Sequence, residues 1–245
     1  MSEATRIYSV GIVVALVWEA KALTTNTVHT ERVTPLANGA AMWLSGMGPA
    51  AAQIAAQALV DNGATALAIF GVAGALQAGL RSGTLFCPPQ VLDDNGHDYT
   101  PDRAWRSNLL QLLAAAKLSV LETGNLLSMP VPLLTTAAKA DAHGRYAAVA
   151  VDMESAAVAA VARDRKLPFV TLRAIIDEVD DTVPAELHAS VDAWGRPRPL
   201  QLIGALGRRP SLLAHLPGLH SRMQSATRAL QAAASATGPT LGWPS

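Results

Sequence analysis

Residues 147–166 read AAVAVDMESAAVAAVARDRK, an apolar strand (Ala147–Val151) that runs directly into an alanine-rich helix (Glu154–Lys166). The strand has no polar alternation, which is typical of a strand covered on both faces. Strand and helix alternate in this way along the chain. We predict further strands at Val10–Val17, Ala41–Ser45, Ala64–Val72, Val131–Thr135 and Pro168–Ile175, and helices at about 49–62, 102–113 and 137–143. This order predicts an α/β fold, a three-layer α/β/α sandwich with a mixed central sheet.

The composition allows a large core and excludes several kinds of site. Of the 245 residues, 50% are apolar and 16% are charged, and 19 basic residues balance 19 acidic ones. A neutral chain without a stripe of Lys and Arg among aromatic residues lacks the basic surface that binds nucleic acid, so we expect no nucleic-acid partner. Cys87 is the single cysteine, and the six histidines lack zinc-binding spacing. We therefore expect no metal and no cofactor.

The amino-terminal segment has two interpretations. Arg6, the apolar run from Ile7 to Trp18 and the small residues around Lys21 resemble a signal peptide with its cleavage site. We favour a buried strand, because the run is rich in Val and Ile and because Glu19 suits the end of a strand at a site. A lone cysteine does not suggest an oxidising compartment, so we expect a cytoplasmic protein.

The composition and spacing of residues change after Gly195. Two prolines in Arg196–Pro199 indicate a break, and Leu and Ile then recur at helical spacing with arginines among them. We predict two amphipathic helices over about 200–235, packed on the domain, and a frayed tail from about Thr237.

A glycine-rich turn, Gly46-Met47-Gly48-Pro49-Ala50-Ala51, separates a predicted strand from a helix. Its GxGxxA spacing occurs in dinucleotide-binding turns, but those also place an acid at the end of the next strand. Here that position reads Ile69-Phe70-Gly71-Val72. We therefore favour a tight turn that lines some other ligand.

Carboxylates follow two of the predicted strands. Asp152 and Glu154 flank Met153 after one strand, and Asp177 is the first acid after another. An acid at a helix start is favoured by the helix dipole, which explains one of the first two. Ligands of open α/β sheets lie at the carboxyl ends of strands, and a carboxylate there can accept hydrogen bonds from both hydroxyls of a ribose.

These segments resemble the nucleoside phosphorylase/nucleosidase superfamily, especially its branch near methylthioadenosine/S-adenosylhomocysteine nucleosidase. The matching stretches are distributed over about four fifths of the chain: VGIVVALVWEA (10–20), SGMGPAAA (45–52), FGVAGALQAGLRSGTL (70–85), VDMESAAVA (151–159) and LPFVTLRAIIDEVD (167–180). The most specific feature is VDMES followed by RAIxD. The tail, residues 189–216, most resembles the hopanoid-associated phosphorylase group. The resemblance implies a single domain over residues 1–245.

The resemblance also implies roles for individual residues. Glu19 would activate or position the nucleophilic water, and Asp177 would protonate N7 of the departing purine. Met153 and Glu154 would pack on the ribose and hold its hydroxyls, with Asp152 beside them in place of the usual glutamate. The remaining matched positions would line ribose and base: Met47, Gly48, Ala73 and Gly74.

The implied reaction is release of adenine from a 5′-substituted adenosine. Phosphorylases of the superfamily hold phosphate with arginine and serine, and the matching stretches here, Val14–Val17 and Ile69–Val72, contain neither. The sequence therefore favours water, and the finer resemblance suggests adenosylhopane as substrate. The alternatives are a phosphate-dependent purine nucleoside phosphorylase and a non-catalytic nucleoside-binding module. We expect a homodimer, with weak contact between the arginine-bearing tail helices and a membrane surface.

Overall fold

The computed structural model describes residues 8–244, and eleven strands within this span form one mixed sheet. The strands are β1 (Val10–Val14), β2 (Val33–Pro35), β3 (Ala40–Leu44), β4 (Leu67–Ala75), β5 (Leu85–Phe86), β6 (Gln90–Asp93), β7 (Asp98–Tyr99), β8 (Val120–Leu121), β9 (Asn125–Ser128), β10 (Ala148–Asp152) and β11 (Phe169–Asp177). The helices are α1 (Val17–Leu23), α2 (Pro49–Asp61), α3 (Arg103–Ala115), α4 (Thr136–Tyr146), α5 (Ser155–Arg165), α6 (Ala185–Ala189), α7 (Pro199–Arg208) and α8 (Leu216–Thr237), with a 3-10 helix at Pro210–His215.

Strand β4 is the centre of the sheet. It pairs in parallel with β1 on one side and with β11 on the other, and its last residues pair with β10 in the antiparallel sense. The main path through the sheet is β2-β3-β1-β4-β10-β9-β6-β7. The predicted mixed sheet is confirmed.

Two apolar cores cover the faces of the sheet. Helices α2 and α5 pack on one face, and α1, α3 and α8 pack on the other. In β1, Val13 belongs to the first core, whereas Ile12 and Val14 belong to the second, and all three are fully buried. Burial on both faces explains why β1 is a continuous apolar run, so its assignment as a strand is confirmed. Arg6 and Ile7, where the signal-peptide interpretation begins, lie outside the described residues.

Two of the predicted strands differ from the structure, one in where it ends and the other in where it lies. Strand β1 stops at Val14, and Glu19 lies in the first turn of α1 rather than at a strand end. The prediction of a strand at Val131–Thr135 is wrong, because that segment makes no ladder and the strand is β9 instead. Pro130 and Pro132 have no amide hydrogen to donate, so this segment could not continue a central ladder.

The carboxyl-terminal region differs from its prediction in two ways. Only α8 packs on the body of the sheet, whereas α7 packs on α6 and the 3-10 helix. The tail after Thr237 is docked, not frayed: Leu241 is fully buried, and the Trp105 indole donates to its carbonyl at 2.8 Å. Trp243 stacks edge-on against Trp105, 4.7 Å between ring centres. No helix in residues 8–244 is long and apolar enough to cross a bilayer.

Candidate active site

A cavity of about 240 Å³ opens where β4, β10 and β11 meet. The pairing of these strands determines its position, because Gly74 of β4 pairs with Val151 of β10 on one side and with Asp177 of β11 on the other. Eight of the nine residues predicted for the site line the cavity: Glu19, Met47, Ala73, Gly74, Asp152, Met153, Glu154 and Asp177. The ninth, Gly48, is not part of the lining, but its backbone amide donates to Glu154, which is. The structure therefore brings the predicted residues together.

Glu19 reaches the cavity from the first turn of α1 and is 1% exposed. Its Oε1 accepts the amide of Val72 at 2.8 Å, and its Oε2 accepts the amide of Leu16 at 2.9 Å. Burial raises the pKa of Glu19 to about 7, although the nearby Arg173 guanidinium and the two amides lower it. A carboxyl that titrates near neutral pH is suited to accept a proton from water.

Glu154 caps the turn before α2 from across the sheet. Its Oε1 accepts the Gly48 amide at 2.8 Å, and its Oε2 lies 3.5 Å from Nη2 of Arg173. Burial raises the pKa of Glu154, while Arg173 opposes that shift. The Gly48 amide at the start of α2 is thus occupied by a side chain of this protein. A dinucleotide phosphate would need that amide, which agrees with the sequence-based preference for another ligand.

Arg173, which is not among the predicted site residues, holds the carboxylates in place. It lies in the middle of β11, is 1% exposed, and donates to Asp152 Oδ2 and to the Ser155 hydroxyl. Burial alone would lower the pKa of Arg173, but Asp152, Glu154 and Glu19 together raise it. The sequence does indicate this cluster, because an arginine inside an apolar strand is buried and needs a partner of opposite charge.

Asp152 is committed to this internal network. Its Oδ1 accepts the hydroxyl of Ser128 and the amides of Glu154 and Ser155, and its Oδ2 accepts from Ser155 and Arg173. Only 1% of its side chain is exposed. The geometry therefore supports a role for Asp152 in orienting Arg173, rather than direct contact with a ligand.

Asp177 lies on the other side of Gly74 and pairs with a second unforeseen cation, Lys139 of α4. Burial raises the pKa of Asp177, and the negative charge of Asp181 raises it further. Lys139 and, less strongly, Arg222 oppose this rise. Asp181 accepts a hydrogen bond from Arg222 at 2.6 Å. No local pattern marks Lys139, because a lysine on a short helix is ordinarily exposed.

Two glycines of β4 leave the space that these acids occupy. A Cβ atom on Gly71 would lie 2.6 Å from Glu19 Oε1 and 2.7 Å from Arg173 Nη1. A Cβ atom on Gly74 would lie 3.0 Å from Asp177 Oδ1. Both glycines are therefore required by close approach of a side chain, as expected for glycine in a strand interior.

The rest of the cavity wall is largely apolar. Leu16, Ile176, Val183 and the irregular segment at 131–134 form it, and Val131 remains 57% exposed at the rim. Val17 and Trp18 pack in the core instead of lining the cavity. His188 of α6 also lines the cavity and was not selected from the sequence. Within residues 8–244, no group of three or more His, Cys, Asp or Glu side chains has the geometry of a metal site.

Solved structures share this architecture. The 5′-methylthioadenosine/S-adenosylhomocysteine nucleosidase of Neisseria meningitidis, in complex with methylthio-immucillin-A, has a TM-score of 0.68 and 18% identity, covering 92% of this chain and 96% of that one. The futalosine hydrolase of Helicobacter pylori has a TM-score of 0.66 and 15% identity, covering 95% and 99%. At these identities the likeness shows the fold alone.

Comparison of sequences identifies the family as well as the fold. Among curated proteins, no sequence matches this chain significantly. The sequence profile of the phosphorylase superfamily matches residues 9–206, which include every predicted site residue. The chain belongs to the phosphorylase superfamily.

Proposed function

We propose that this protein cleaves the N-glycosidic bond of a 5′-substituted adenosine and releases adenine, with water as the nucleophile. The observation that carries the proposal is the presence of two differently tuned acids in one cavity. Glu19 has a pKa of about 7 and is bound by two amides, and Asp177 has a raised pKa and is paired with Lys139. Environments that tune two acids separately allow one to act as a base and the other as an acid.

The reaction needs both roles. As the bond to N9 breaks, positive charge develops on the sugar and electron density moves onto the purine. Asp177 donates a proton to N7, so that adenine departs as a neutral base. Glu19 accepts a proton from the water that attacks C1′. A module that only bound nucleosides would need neither of these groups.

Ribose recognition is assigned to Glu154 and the two methionines, Met47 and Met153, that line the cavity near it. One lone pair of Glu154 is already used by Gly48. A carboxylate offers about four acceptor positions, so the remaining ones can receive the 2′- and 3′-hydroxyls. The thioether side chains provide adaptable apolar contact with the sugar ring.

The charge of the cavity supports water over phosphate. Four carboxyl groups line it, and among the described residues no Lys or Arg side chain is part of its lining. Arg173 lies behind this wall, where three carboxylates already surround it. A phosphate anion would meet like charge without a free cationic partner, which is unfavourable in a partly dry site.

The apolar wall supports a hydrophobic 5′ group. Leu16, Val131, Leu133 and Val183 lie on the cavity surface, and the exposure of Val131 continues the apolar surface to the rim. A long hydrocarbon substituent could follow this path out of the cavity. Together with the resemblance of the tail, this favours adenosylhopane as the substrate.

The decisive experiment measures adenine release in phosphate-free buffer and with added phosphate. The substrates are 5′-methylthioadenosine, S-adenosylhomocysteine and adenosylhopane. We expect release without phosphate, and in H₂¹⁸O we expect the label at C1 of the freed sugar. Glu19→Gln serves as the inactive control. Absolute dependence on phosphate with a sugar 1-phosphate product would instead establish a phosphorylase. Tight binding with no cleavage of any adenosine would establish a binding module.

A further inference from the structure

Lys139 is buried in a way that its helix does not explain. The chain has four lysines, and the other three, Lys21, Lys117 and Lys166, are exposed. The Lys139 side chain is 1% exposed, and it extends from α4 to the carboxyl end of β11. Placing an ammonium group in a protein interior is costly unless it is paired and hydrogen-bonded. A specific arrangement of partners must therefore offset that cost.

The partners of Lys139 are three oxygen atoms of one segment. Its Nζ donates to Asp177 Oδ2, to the carbonyl of Glu178 at 2.6 Å and to the carbonyl of Asp181 at 3.1 Å. An ammonium group has three hydrogens and no acceptor, so this set satisfies it completely. Lys139 thereby holds one oxygen of Asp177, and the carboxyl lies beside Gly74 in the wall of the cavity, with Oδ1 and Oδ2 3.0 and 3.1 Å from the place of a Cβ atom on Gly74.

We propose that Lys139 is a positioning residue for purine departure: it aims the Asp177 carboxyl at the base and stabilises the carboxylate that remains after proton donation. The inference rests on the proposed function. In the step, the O–H bond of Asp177 breaks as an N7–H bond forms. The electron pair of the C1′–N9 bond passes to the purine. Lys139 keeps all its protons throughout, and the buried product is an ammonium–carboxylate pair instead of an isolated anion.

The charges around Asp177 determine what loss of Lys139 would do. Lys139 of α4 and Arg222 of α8 favour its ionised form, and Asp181 disfavours it. The cavity also presents His188 of α6 and the carboxyls Glu19, Asp152 and Glu154. Burial raises the pKa of Asp177, and Lys139 is the largest influence that lowers it. Without Lys139, Asp177 would be a weaker acid that stays protonated to higher pH.

The competing explanation is that Lys139 only fastens the loop at 178–181. Arg222 supplies a matched control, because it fastens the same loop through Asp181 and does not contact Asp177. A structural role predicts that Lys139→Met and Arg222→Gln have similar effects. A positioning role predicts that Lys139→Met shifts the pKa of Asp177 much more than Arg222→Gln does, because Lys139 has the larger influence on it.

The test compares pH profiles of kcat for wild type, Lys139→Met, Lys139→Arg and Arg222→Gln. For Lys139→Met we expect the alkaline limb to move up by about 1–3 pH units, the usual effect of one adjacent opposite charge. We expect kcat at neutral pH to fall about 10-fold or more while KM changes little, and Lys139→Arg to restore the limb. If the alkaline limb of Lys139→Met stays in place, or if Arg222→Gln moves it equally, the inference is wrong.

A second measurement separates this inference from the proposed function. Carboxyl ¹³C NMR of the Asp-labelled protein follows the pKa of Asp177 without substrate, with Asp177→Asn identifying the resonance. We expect Lys139→Met to raise that pKa even if no nucleoside is cleaved. An unchanged pKa in an active enzyme would contradict the role of Lys139 alone. If Lys139→Met does not fold, Lys139→Gln removes the charge with less loss of polarity, and the same outcomes apply.

Discussion

Two buried cations serve the cavity in different ways. Arg173 is surrounded by three carboxylates, those of Asp152, Glu154 and Glu19, so the carboxylates outnumber the cation. Lys139 meets one carboxylate, Asp177, and two backbone carbonyls. In the first region burial raises the pKa of Glu19 to about 7, and the shared guanidinium only partly opposes that rise. In the second, a one-to-one pair limits the rise that burial causes.

The difference indicates how one sheet edge could supply both a base and an acid. A carboxyl that competes with others for a cation gains less stabilisation as an anion, so its proton affinity rises toward neutral pH. A carboxyl with a cation of its own loses its proton more readily and leaves a stabilised anion. The following predictions test whether the two regions really have these opposite tasks.

Asp177→Asn should have the largest effect on the reaction. Asparagine keeps the shape but has no acidic proton, so we expect kcat to fall roughly 10²–10⁴-fold with adenine binding retained, the usual scale for general acid catalysis. Steady-state kinetics and calorimetric binding of adenine provide the measurement. Asp180→Asn, in the exposed part of the same loop, is the control and should match wild type. Unchanged turnover of Asp177→Asn would exclude Asp177 as the acid.

Arg173→Met should affect stability more than any surface ion pair does. The change leaves Asp152 and Glu154 buried without their cation, which typically costs about 3–5 kcal/mol. Urea unfolding measures the loss. Arg165→Met is the control, since Arg165 pairs with Asp61 at the surface, 3.2 Å apart, where such pairs contribute only about 0–1 kcal/mol. Equal losses for the two variants would mean that Arg173 does not neutralise the cluster.

The pH profile of kcat/KM should show the titration of Glu19. Because the raised pKa of Glu19 is about 7, its basic form is lost as pH falls through that value. We expect kcat/KM to decline about 10-fold per pH unit below pH 7. Glu19→Gln should be slow at every pH and lack this limb. A wild-type profile that stays flat from pH 7 to pH 5 would assign the base elsewhere.

The smallest expected effect concerns the surface of α7 and of the 3-10 helix that packs on it, beside α6 and its His188. Leu200, Ile203 and Leu213 are 86%, 66% and 55% exposed. We propose that this apolar surface, with Arg198 and Arg208 next to it, makes weak contact with an anionic bilayer. Each arginine should add about 1 kcal/mol of attraction. Arg209 and Arg222 are excluded from the test because they pair with Glu186 and Asp181.

Sedimentation with anionic liposomes at low salt compares wild type with the double variant Arg198→Gln/Arg208→Gln. Weaker sedimentation of the variant is the expected result. If neither protein sediments, the helices are structural and delivery of the substrate needs another explanation. The homodimer that we propose is then the alternative, and analytical ultracentrifugation of a Leu200→Ser/Ile203→Ser variant would show whether it loses a dimer.

Much of the fold could be predicted from the sequence, because a buried strand is recognisable from the apolar residues of a short segment. The continuous apolar runs of β1, β4, β10 and β11 indicate strands covered on both faces, and the structure has them with shifted ends. Boundaries were less predictable. Glu19 is predicted at a strand end, but α1 begins at Val17 and places Glu19 in its first turn. Local patterns specify the type of an element better than its last residue.

The sequence places Asp152, Glu154 and Asp177 at the carboxyl ends of strands, where ligands of open α/β sheets lie. Only the structure shows why these ends meet: β10 is antiparallel to β4 and overlaps only its last residues, whereas β11 is parallel to β4. The sequence does not show which residues are the partners of these acids. Arg173 meets Asp152 across 21 positions of the chain, and Lys139 meets Asp177 across 38. The docking of Trp243 on Trp105 was likewise hidden, because the tail residues have a composition that is usual for a solvated end.

The sequence by itself determined which residues could be buried and which chemical groups would stand at the edge of the sheet. Periodicity and strand-end position are properties of a short segment, so they can be read locally. Only the tertiary structure decided how charge is shared among these groups. Pairing and desolvation depend on distances between β10, β11 and α4, and these distances arise when the sheet and its helices pack together. Those distances separate a carboxyl suited to accept a proton, Glu19, from one suited to donate it, Asp177.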